Sequence, residues 1–426
     1  MATEPSSIRT PGTPPPLVRP GKDARALWGL DEDLLFLNHG SFGAVPLELL
    51  ERAAAIRRDI EANPVVGVWR QGLPAIRPAA EALSSFLGSE ADRTAFVVNA
   101  SAGMNAMLQS MPLDPGDEVL HVDQGYNAVW QTLIQTGRRR GIVPRKVVLP
   151  LPVLHEDDVL AAFDAAITSR TRLIVVDQIT SPTALILPVG RIVELARSRG
   201  IDTIVDGAHA PGMIERPAAI AENAAAWTGN LHKWPCALRG AAMVTVREDL
   251  RSVLKPPVIS HHLDQSFGAE FDWQGTHDPT PWLLAPEAIG FMDRFGGWET
   301  VRRRNRSLAV RIHDMLCGRL GVDPICPLDG SMTGFMATVR LPDPLQPGGG
   351  GPPLESSNAV PGPDGRPSFT MDPIHRHLFE RHRIEVPIVT HREERFVRFS
   401  VHIYNTFDEY EALAEAILEL STRGWR

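Results

Sequence analysis

Apolar residues along this chain form short runs that alternate with segments of helical periodicity. The runs predict strands at 94–100, 117–123, 145–151, 172–179 and 201–208. Apolar residues spaced three and four apart predict helices at 47–62, 101–111, 127–139, 160–168 and 190–200. This alternation predicts an α/β fold with a mostly parallel central sheet and helices on both faces. Ligand-binding residues are then expected at the carboxyl ends of the strands.

The composition of individual segments predicts where the domains and flexible regions lie. Prolines in residues 1–22 predict a flexible arm, because proline blocks helices and cannot donate ladder hydrogen bonds. We expect a large domain over 23–295, including the N-terminal segment, and a smaller α+β domain over 296–426. Within the smaller domain, residues 341–368 are dense in Gly, Pro and Ser and predict a disordered insertion.

Charge and composition exclude several classes of partner. The chain has 43 Lys and Arg against 51 Asp and Glu, so a net charge of −8 argues against nucleic acid as a partner. No apolar run approaches the roughly 18 residues of a membrane span. Three cysteines, Cys236, Cys317 and Cys326, match neither a disulfide framework nor metal-ligand spacing, which predicts no metal site. A cytoplasmic protein is expected.

A lysine in the stretch WTGNLHKWPCALRG indicates chemistry. Lys233 lies between bulky rings in an apolar setting, where an ammonium costs free energy unless it has a role. Asp206 ends an apolar strand 27 residues earlier and could hold a pyridinium nitrogen, so the pair suits pyridoxal 5'-phosphate. Taken singly, the lysine could be a cation–π partner and the aspartate a helix cap.

Two further segments fit the same cofactor. The stretch VVNASAGMNAML runs from a strand into a helix, whose first amides at Ala100, Ser101 and Ala102 could cradle a phosphate. Tyr126 follows the next strand and could stack on a pyridine ring, although it could also be a core residue.

These motifs resemble the class V aminotransferase family of fold-type-I pyridoxal-phosphate enzymes, and within it the isopenicillin N epimerase-like group. The resemblance runs from about Asp23 to the C-terminus and is interrupted by 341–368. It rests on seven blocks in order, FLNHGSFGAVP, NASAGMN, SPTALILPV, VDGAHAPG, GNLHKW, WQGTHDP and RFSVHIYNT.

The resemblance implies a role for each matching residue. Lys233 would carry the cofactor as a Schiff base, Asp206 would pair with the ring nitrogen, and Tyr126 would stack on the ring. The other cofactor contacts implied are Ser101, Ser181, His209, Thr228, His232 and, on the phosphate of the other subunit, Thr276. Arg398 would bind the substrate α-carboxylate, with Asn38 and His39 lining the substrate entrance. A homodimer with shared active sites is also implied.

The reaction is predicted less narrowly than the cofactor. The resemblance implies a cofactor that acts as an electron sink for an anion at Cα of an amino-acid substrate. Reprotonation from the opposite face gives epimerisation, which is the main prediction. A carbon–sulfur lyase of the ergothioneine-pathway type, with Tyr126 as acid, is the alternative, and an aminotransferase is a third.

Two other functions are disfavoured. Desulfuration through a persulfide needs a nucleophilic cysteine shortly before the carboxylate-binding arginine, and RIEVPIVTHREERFVRF contains none. The nearest upstream cysteine, Cys326, lies 72 residues before Arg398. A non-catalytic relative would be expected to have lost Lys233 or Asp206, and both are present.

Overall fold

The computed structural model describes residues 17–354, 360–361, 367–368 and 371–424. Its strands are β1 (Leu35–Phe36), β2 (Thr94–Val97), β3 (Glu118–Val122), β4 (Val143–Val147), β5 (Thr171–Asp177), β6 (Asp202–Asp206), β7 (Ala226–Asn230), β8 (Ala242–Val246), β9 (Met336–Arg340), β10 (Val360–Pro361), β11 (Pro367–Ser368), β12 (Ile384–Glu385), β13 (Ile388–His391) and β14 (Glu394–Ser400).

Its helices are α1 (Lys22–Arg25), α2 (Leu47–Ala62), α3 (Leu73–Leu87), α4 (Ala100–Ser110), α5 (Asn127–Arg140), α6 (Glu156–Ala166), α7 (Val189–Ser198), α8 (Phe267–Asp272), α9 (Thr280–Leu283), α10 (Ala285–Gly290), α11 (Gly297–Leu320), α12 (Pro373–His382) and α13 (Asp408–Arg423). A π-helix, Val65–Gly72, joins α2 to α3. The helix predicted at 47–62 has the same bounds as α2, so this prediction is confirmed.

A seven-stranded sheet forms the centre of the molecule, in the order β2-β8-β7-β6-β5-β3-β4. The five strands β7, β6, β5, β3 and β4 are parallel to one another, whereas β8 is antiparallel to both β7 and β2. The predicted mostly parallel α/β fold is confirmed. Because the parallel strands end at one edge of the sheet, residues that follow them in sequence come together there.

Alternate residues of the strands feed two separate apolar cores. On one face, Phe96, Leu120 and Val176 join a cluster that includes side chains of α3, α6 and α7. On the other face, Ala95 and Val119 join a cluster with α4, α5 and α8. Helices therefore cover both faces, which explains why the strands read as continuous apolar runs rather than alternating ones.

A second sheet, β13-β14-β9, packs against α11, α12 and α13 in a core of its own. The N-terminal segment joins this core, because β1 pairs in parallel with β12 and Leu37 is buried there. An α+β arrangement thus follows the large sheet in sequence, as expected. The domain boundary at 295/296 stays a prediction.

Parts of two segments predicted to be flexible are packed. In the predicted arm 1–22, Val18 donates its amide to Arg294 and Gly21 donates to Ile403, while residues 1–16 lie outside the described residues. In the predicted insertion 341–368, Leu341 and Leu345 are buried in the C-terminal core. Residues 355–359 and 362–366 lie outside the described residues.

Arg395 explains why the start of the 341–368 segment is packed. Its guanidinium is fully buried, pairs with Asp372 (Nε to Oδ2, 2.8 Å) and donates to the carbonyls of Leu345 and Pro353. Gln346 accepts from the Arg395 amide through Oε1. These bonds fasten residues 341–353 to strand β14, although the composition of the segment indicates disorder.

We predict that Arg395→Met lowers the free energy of unfolding by about 3 to 5 kcal/mol, because it leaves the Asp372 carboxylate, which is only 12% exposed, without its buried ion-pair partner. Urea unfolding measures the loss. Arg340→Met is the matched control, since Arg340 makes partly exposed ion pairs with Asp343 and Glu394 and should cost about 1 kcal/mol or less. Equal losses in the two variants would contradict this assignment.

Candidate active site

Two aspartates face each other where β5 and β6 end. Asp177 and Asp206 are partners in the register of these parallel strands, and both side chains are buried. Asp206 accepts a hydrogen bond from the Ala208 amide (2.9 Å) and Asp177 accepts one from the Tyr126 amide (3.0 Å). Burial raises the pKa of each carboxyl, and the charge of Asp206 raises that of Asp177 further.

Lys233 follows β7 and reaches toward the same edge. Its Nζ lies 3.0 Å from Nε2 of His209 in a part-buried setting. Burial, with a smaller contribution from the Arg398 charge, lowers the pKa of Lys233 to about 7, although Asp206 and Asp177 oppose this shift. A substantial fraction of this amine is therefore neutral near pH 7, as a Schiff-base lysine requires.

Arg398 lies in the middle of β14 and has no carboxylate partner among the described residues. Its Nη1 donates to the Ser181 carbonyl (2.6 Å), its Nη2 donates to the Ser41 hydroxyl (2.8 Å), and its buried Nε lacks a partner there. Burial lowers the pKa of Arg398 to about 10, so it is charged at neutral pH. A buried, unneutralised guanidinium is suited to bind a carboxylate.

Tyr126 and the N-terminus of α4 lie at the ends of β3 and β2. Tyr126 is the N-cap of α5 and exposes 45% of its surface. At α4, Asn99 accepts from the Ala102 amide and Asn230 accepts from the Ala100 amide, both at 2.8 Å. Two of the three amides predicted to cradle a phosphate are thus engaged by side chains, while Ser101 lies between them.

Thr228 is predicted to contact the phosphate, and this contact stays a prediction. Its hydroxyl donates to the Met243 carbonyl (2.8 Å), and the side chain is fully buried against Gly103 of α4. Side chains of a strand alternate between faces, and this one points into the sheet packing. His232 shares an Nδ1 hydrogen bond with the Ala241 carbonyl (3.1 Å), and its phosphate contact stays a prediction.

His39 was predicted at the substrate entrance and lies instead beneath Lys233. Its ring is fully buried, with Nδ1 2.7 Å from the Tyr404 hydroxyl and Nε2 3.0 Å from the Lys233 carbonyl. Burial lowers the pKa of His39 to about 4, so the ring is neutral and donates from Nε2 to that carbonyl. The neighbouring Asn38 donates to Glu385 (2.8 Å) and is also buried.

His39, Cys236 and His402 place three possible ligand atoms within 4.8 Å of one another. The two imidazole rings stack, with centroids 4.0 Å apart and planes inclined by 19°. Since an imidazole binds a metal in its own plane, stacked rings cannot direct both lone pairs at one ion. His39 in this cluster supports the lysine backbone, and the stacked geometry of the two rings disfavours a shared metal ion.

Thr276 is exposed and follows Gly275, which has a φ of 98°. Its contact with the phosphate of a second subunit stays a prediction. The structure brings Lys233, Asp206, His209, Tyr126, Ser181 and Arg398 to one edge of the sheet.

Sequence reasoning missed Asp177, Ser41 and Asn230. Asp177 carried a signal, because it ends a predicted strand just as Asp206 does, and parallel strands bring such residues together. Ser41 and Asn230 carried none, since their roles depend on contacts across 357 and 130 residues of sequence.

Comparisons with known proteins agree with this geometry. The family model "Aminotransferase class-V" matches residues 44–324. Isopenicillin N epimerase of Amycolatopsis lactamdurans is 33% identical over 94% of this chain and 98% of its own length. A putative L-cysteine desulfhydrase of Oryza sativa subsp. japonica is 29% identical, covering 91% of this chain and 83% of its own.

The fold is similar to that of apo cysteine desulfurase from Thermococcus onnurineus NA1, with a TM-score of 0.73, 16% identity and coverage of 96% and 100%. This chain belongs to the class V aminotransferase family. It is a pyridoxal-phosphate-dependent enzyme of that family.

The residues present fit this cofactor. Lys233 supplies an amine with a pKa of about 7, and Asp206 supplies a buried carboxylate. Nδ1 of His209 is buried and has no hydrogen-bond partner among the described residues. Such an orphaned atom is costly unless a ligand or water satisfies it.

Among the described residues, no helix is long and apolar enough to cross a membrane.

We predict that Lys233→Met stabilises the cofactor-free protein near pH 7 by on the order of 3 kcal/mol. The folded pKa of about 7 lies below 10.5, so between these pH values only the unfolded chain binds this proton. The free energy of unfolding of the wild type therefore rises with pH, and the advantage of the variant shrinks toward pH 10.5.

Urea unfolding at several pH values measures this trend. Lys255→Met is the control, since Glu270 raises the pKa of Lys255 and its removal should destabilise the protein at every pH tested below about 10. A pH-independent difference between wild type and Lys233→Met would show that the amine is not held neutral.

Proposed function

We propose that this enzyme binds an amino-acid substrate through Arg398 and changes the configuration at Cα. The observation that carries the proposal is a neutralisable amine and an unpaired buried guanidinium in one cleft, close enough for the charge of Arg398 to depress the pKa of Lys233. A substrate α-carboxylate satisfies Arg398 and leaves Cα within the same cleft as Lys233.

Each side chain then has a task. Bound pyridoxal phosphate supplies an electron sink for charge developing at Cα. Lys233, held by Nε2 of His209, is the base that removes the Cα proton on its own face. Asp206 would pair its carboxylate with the ring nitrogen of the bound cofactor. Tyr126, whose ring is partly exposed, supplies an acid on the opposite face.

The name of the 33%-identical relative favours epimerisation, whereas the desulfhydrase relatives favour a second candidate, elimination at a carbon–sulfur bond. In that reaction, the Tyr126 hydroxyl protonates a leaving thiolate. An aminotransferase is the third candidate. All three use the same Lys233, Asp206 and Arg398.

The buried cysteines argue against persulfide chemistry. Burial raises the pKa of Cys317 to about 12 and that of Cys326 to about 11, and it raises that of Cys236 as well. A nucleophilic cysteine needs a depressed pKa and access to substrate. All three thiols are free, which supports a reducing, cytoplasmic location.

We predict that isopenicillin N or a related amino acid incubated in deuterated water gains deuterium at Cα and emerges as a mixture of configurations. Mass spectrometry and chiral separation measure both outcomes, and Lys233→Ala is the inactive control. Release of a thiol, pyruvate and ammonia from L-cysteine, without scrambling of any substrate, would replace epimerisation by the lyase.

We also infer a homodimer in which Thr276 approaches the phosphate of the second subunit. Its support is that Thr276 is exposed and that the preceding segment exposes apolar side chains at Val258, Ile259 and Leu263. An exposed apolar patch of this kind is typical of an interface.

We predict that Val258→Asp with Ile259→Asp yields a monomer that binds the cofactor more weakly. Sedimentation and cofactor titration measure the two effects. Ile220→Asp is the matched control, because Ile220 is similarly exposed on another part of the surface and should leave the dimer intact. A fully active wild-type monomer would refute the shared site.

A further inference from the structure

The hairpin of β13 and β14, which carries Arg398, ends in a turn made of two long charged residues. His391 pairs in register with Glu394, so Arg392 and Glu393 form the turn, with φ angles of 49° and 66°. Two-residue hairpin turns with positive φ at both positions favour Asn and Gly, because larger side chains cost free energy in this conformation. Such a conformation persists where contacts outside the turn stabilise it.

The Arg392 side chain makes contacts of this kind. Its Nη2 donates to Oδ2 of Asp123 (2.6 Å) and to the Leu149 carbonyl. Oδ1 of Asp123 accepts in turn from the Leu149 amide (3.2 Å). The Asp123 side chain is 10% exposed, so the carboxylate of this pair is shielded from water. A shielded, hydrogen-bonded ion pair fixes its partners more firmly than an exposed one.

His391 lies beside the same carboxylate but is not its charged partner. Its Nε2 is 3.8 Å from Oδ2 of Asp123, beyond hydrogen-bond distance. Burial lowers the pKa of His391, and the charges of Arg392 and Lys146 lower it further against the opposing charge of Asp123. The ring is therefore neutral near pH 7, and Arg392 is the cation that pairs with Asp123.

The Asp123–Arg392 pair joins two segments that carry residues of the candidate active site. Arg392 precedes Arg398 on one hairpin, whose strand β14 contributes to the C-terminal core. Asp123 directly follows β3 of the large sheet and shortly precedes Tyr126. The pair thus fastens the segment that bears the unpaired guanidinium to the segment that bears Tyr126.

Other contacts of this hairpin with the large sheet involve the guanidinium itself. Arg398 donates to the Ser181 carbonyl and to the Ser41 hydroxyl. A bound carboxylate competes for the N–H groups of that guanidinium. Arg392 holds the hairpin through a different side chain, so its contact stays in place when Arg398 binds a carboxylate.

We propose that Asp123 and Arg392 are positioning residues whose ion pair fixes the place of Arg398 in the cleft and so sets the affinity for an α-amino acid. The recognition of the α-carboxylate by Arg398 rests on the proposed function, whereas the ion pair does not. Because the pair acts through Arg398, it does not affect the binding of an amine that lacks the carboxylate.

The holoenzyme tests the proposal with L-alanine and ethylamine, which differ only by the α-carboxylate. Titration of the bound-cofactor absorption with each compound measures its dissociation constant. Arg392→Asn removes the pair with a residue suited to positive φ, and it should weaken L-alanine binding roughly 10-fold or more while changing ethylamine binding by less than about 2-fold. Equal weakening of both compounds, or unchanged L-alanine binding, would overturn the proposal.

Asp123→Asn tests the pair from its other side. Asn keeps an acceptor for the Leu149 amide and loses the charge, so this variant is the milder change to the fold. If the two residues act as a pair, Asp123→Asn with Arg392→Asn binds L-alanine no more weakly than the weaker single variant. Additive losses would show that the two residues act separately and would contradict the pair.

Urea unfolding of the cofactor-free protein separates positioning from simple support of the fold. Glu393→Gly is the control within the turn, because it relieves positive φ and leaves the ion pair intact. It should preserve both the urea midpoint and the affinity for L-alanine. Affinity for L-alanine that follows the urea midpoint across Glu393→Gly, Arg392→Asn and Asp123→Asn would show that the pair only supports the fold.

Arg398→Met distinguishes failure of this proposal from failure of the proposed function. Wild type should prefer L-alanine to ethylamine, and Arg398→Met should remove that preference. If wild type lacks the preference, or Arg398→Met retains it, the carboxylate role of Arg398 fails and the positioning role fails with it. If Arg398→Met removes the preference and Arg392→Asn retains it, the proposed function stands and the positioning role alone fails.

Discussion

The confinement of two cationic groups to one poorly solvated cleft is the constraint around which this site is arranged. Burial is the largest cause of the lowered pKa of both Lys233 and Arg398, and the charge of Arg398 lowers the pKa of Lys233 further. The amine responds by becoming neutral near pH 7, whereas the guanidinium keeps its charge and lacks an anionic partner in the described chain. One constraint therefore accounts for both the proposed base and the proposed carboxylate site.

The loop between β1 and α2 connects these two groups, although they belong to different sheets. His39 donates to the Lys233 carbonyl and Ser41 accepts from Arg398. Gly43 packs so closely that a Cβ would lie 2.5 Å from the Lys233 carbonyl oxygen. Because β1 pairs with β12, this loop is anchored in the C-terminal core, and the distance between Lys233 and Arg398 depends on how that core packs.

The sequence was informative where function depends on position along one strand or helix. The length of α2 and the placement of Asp206 at the end of β6 followed from local periodicity and from the rule that ligands gather at strand ends. The sequence was uninformative where the direction of a side chain depends on tertiary packing. His39 turns under Lys233 because of contacts 194 residues away, and Thr228 faces α4 because its hydroxyl bonds the neighbouring β8 strand.

In segments of biased composition, too, the sequence does not reveal contacts that depend on tertiary packing. The Pro- and Gly-rich stretch beginning at 341 lacks a continuous apolar run, yet Leu341 and Leu345 are enough to bury it once Arg395 binds its carbonyls. Composition reports how much apolar surface a segment offers. It does not report whether a buried guanidinium elsewhere in the chain needs that segment's carbonyls as acceptors.

The two faces of the cleft differ in their contact with water, and this difference bears on the reaction. Lys233, Asp206 and His209 are shielded, whereas the Tyr126 ring exposes nearly half of its surface. In the proposed reaction, an acid on the Tyr126 face would exchange its proton with solvent, while the proton removed by Lys233 would stay against Nε2 of His209. Proton return from the exposed face would then deliver a solvent proton to the side of Cα opposite the base. That asymmetry is what inversion requires, and elimination uses the same exposed acid when the substrate carries a leaving group.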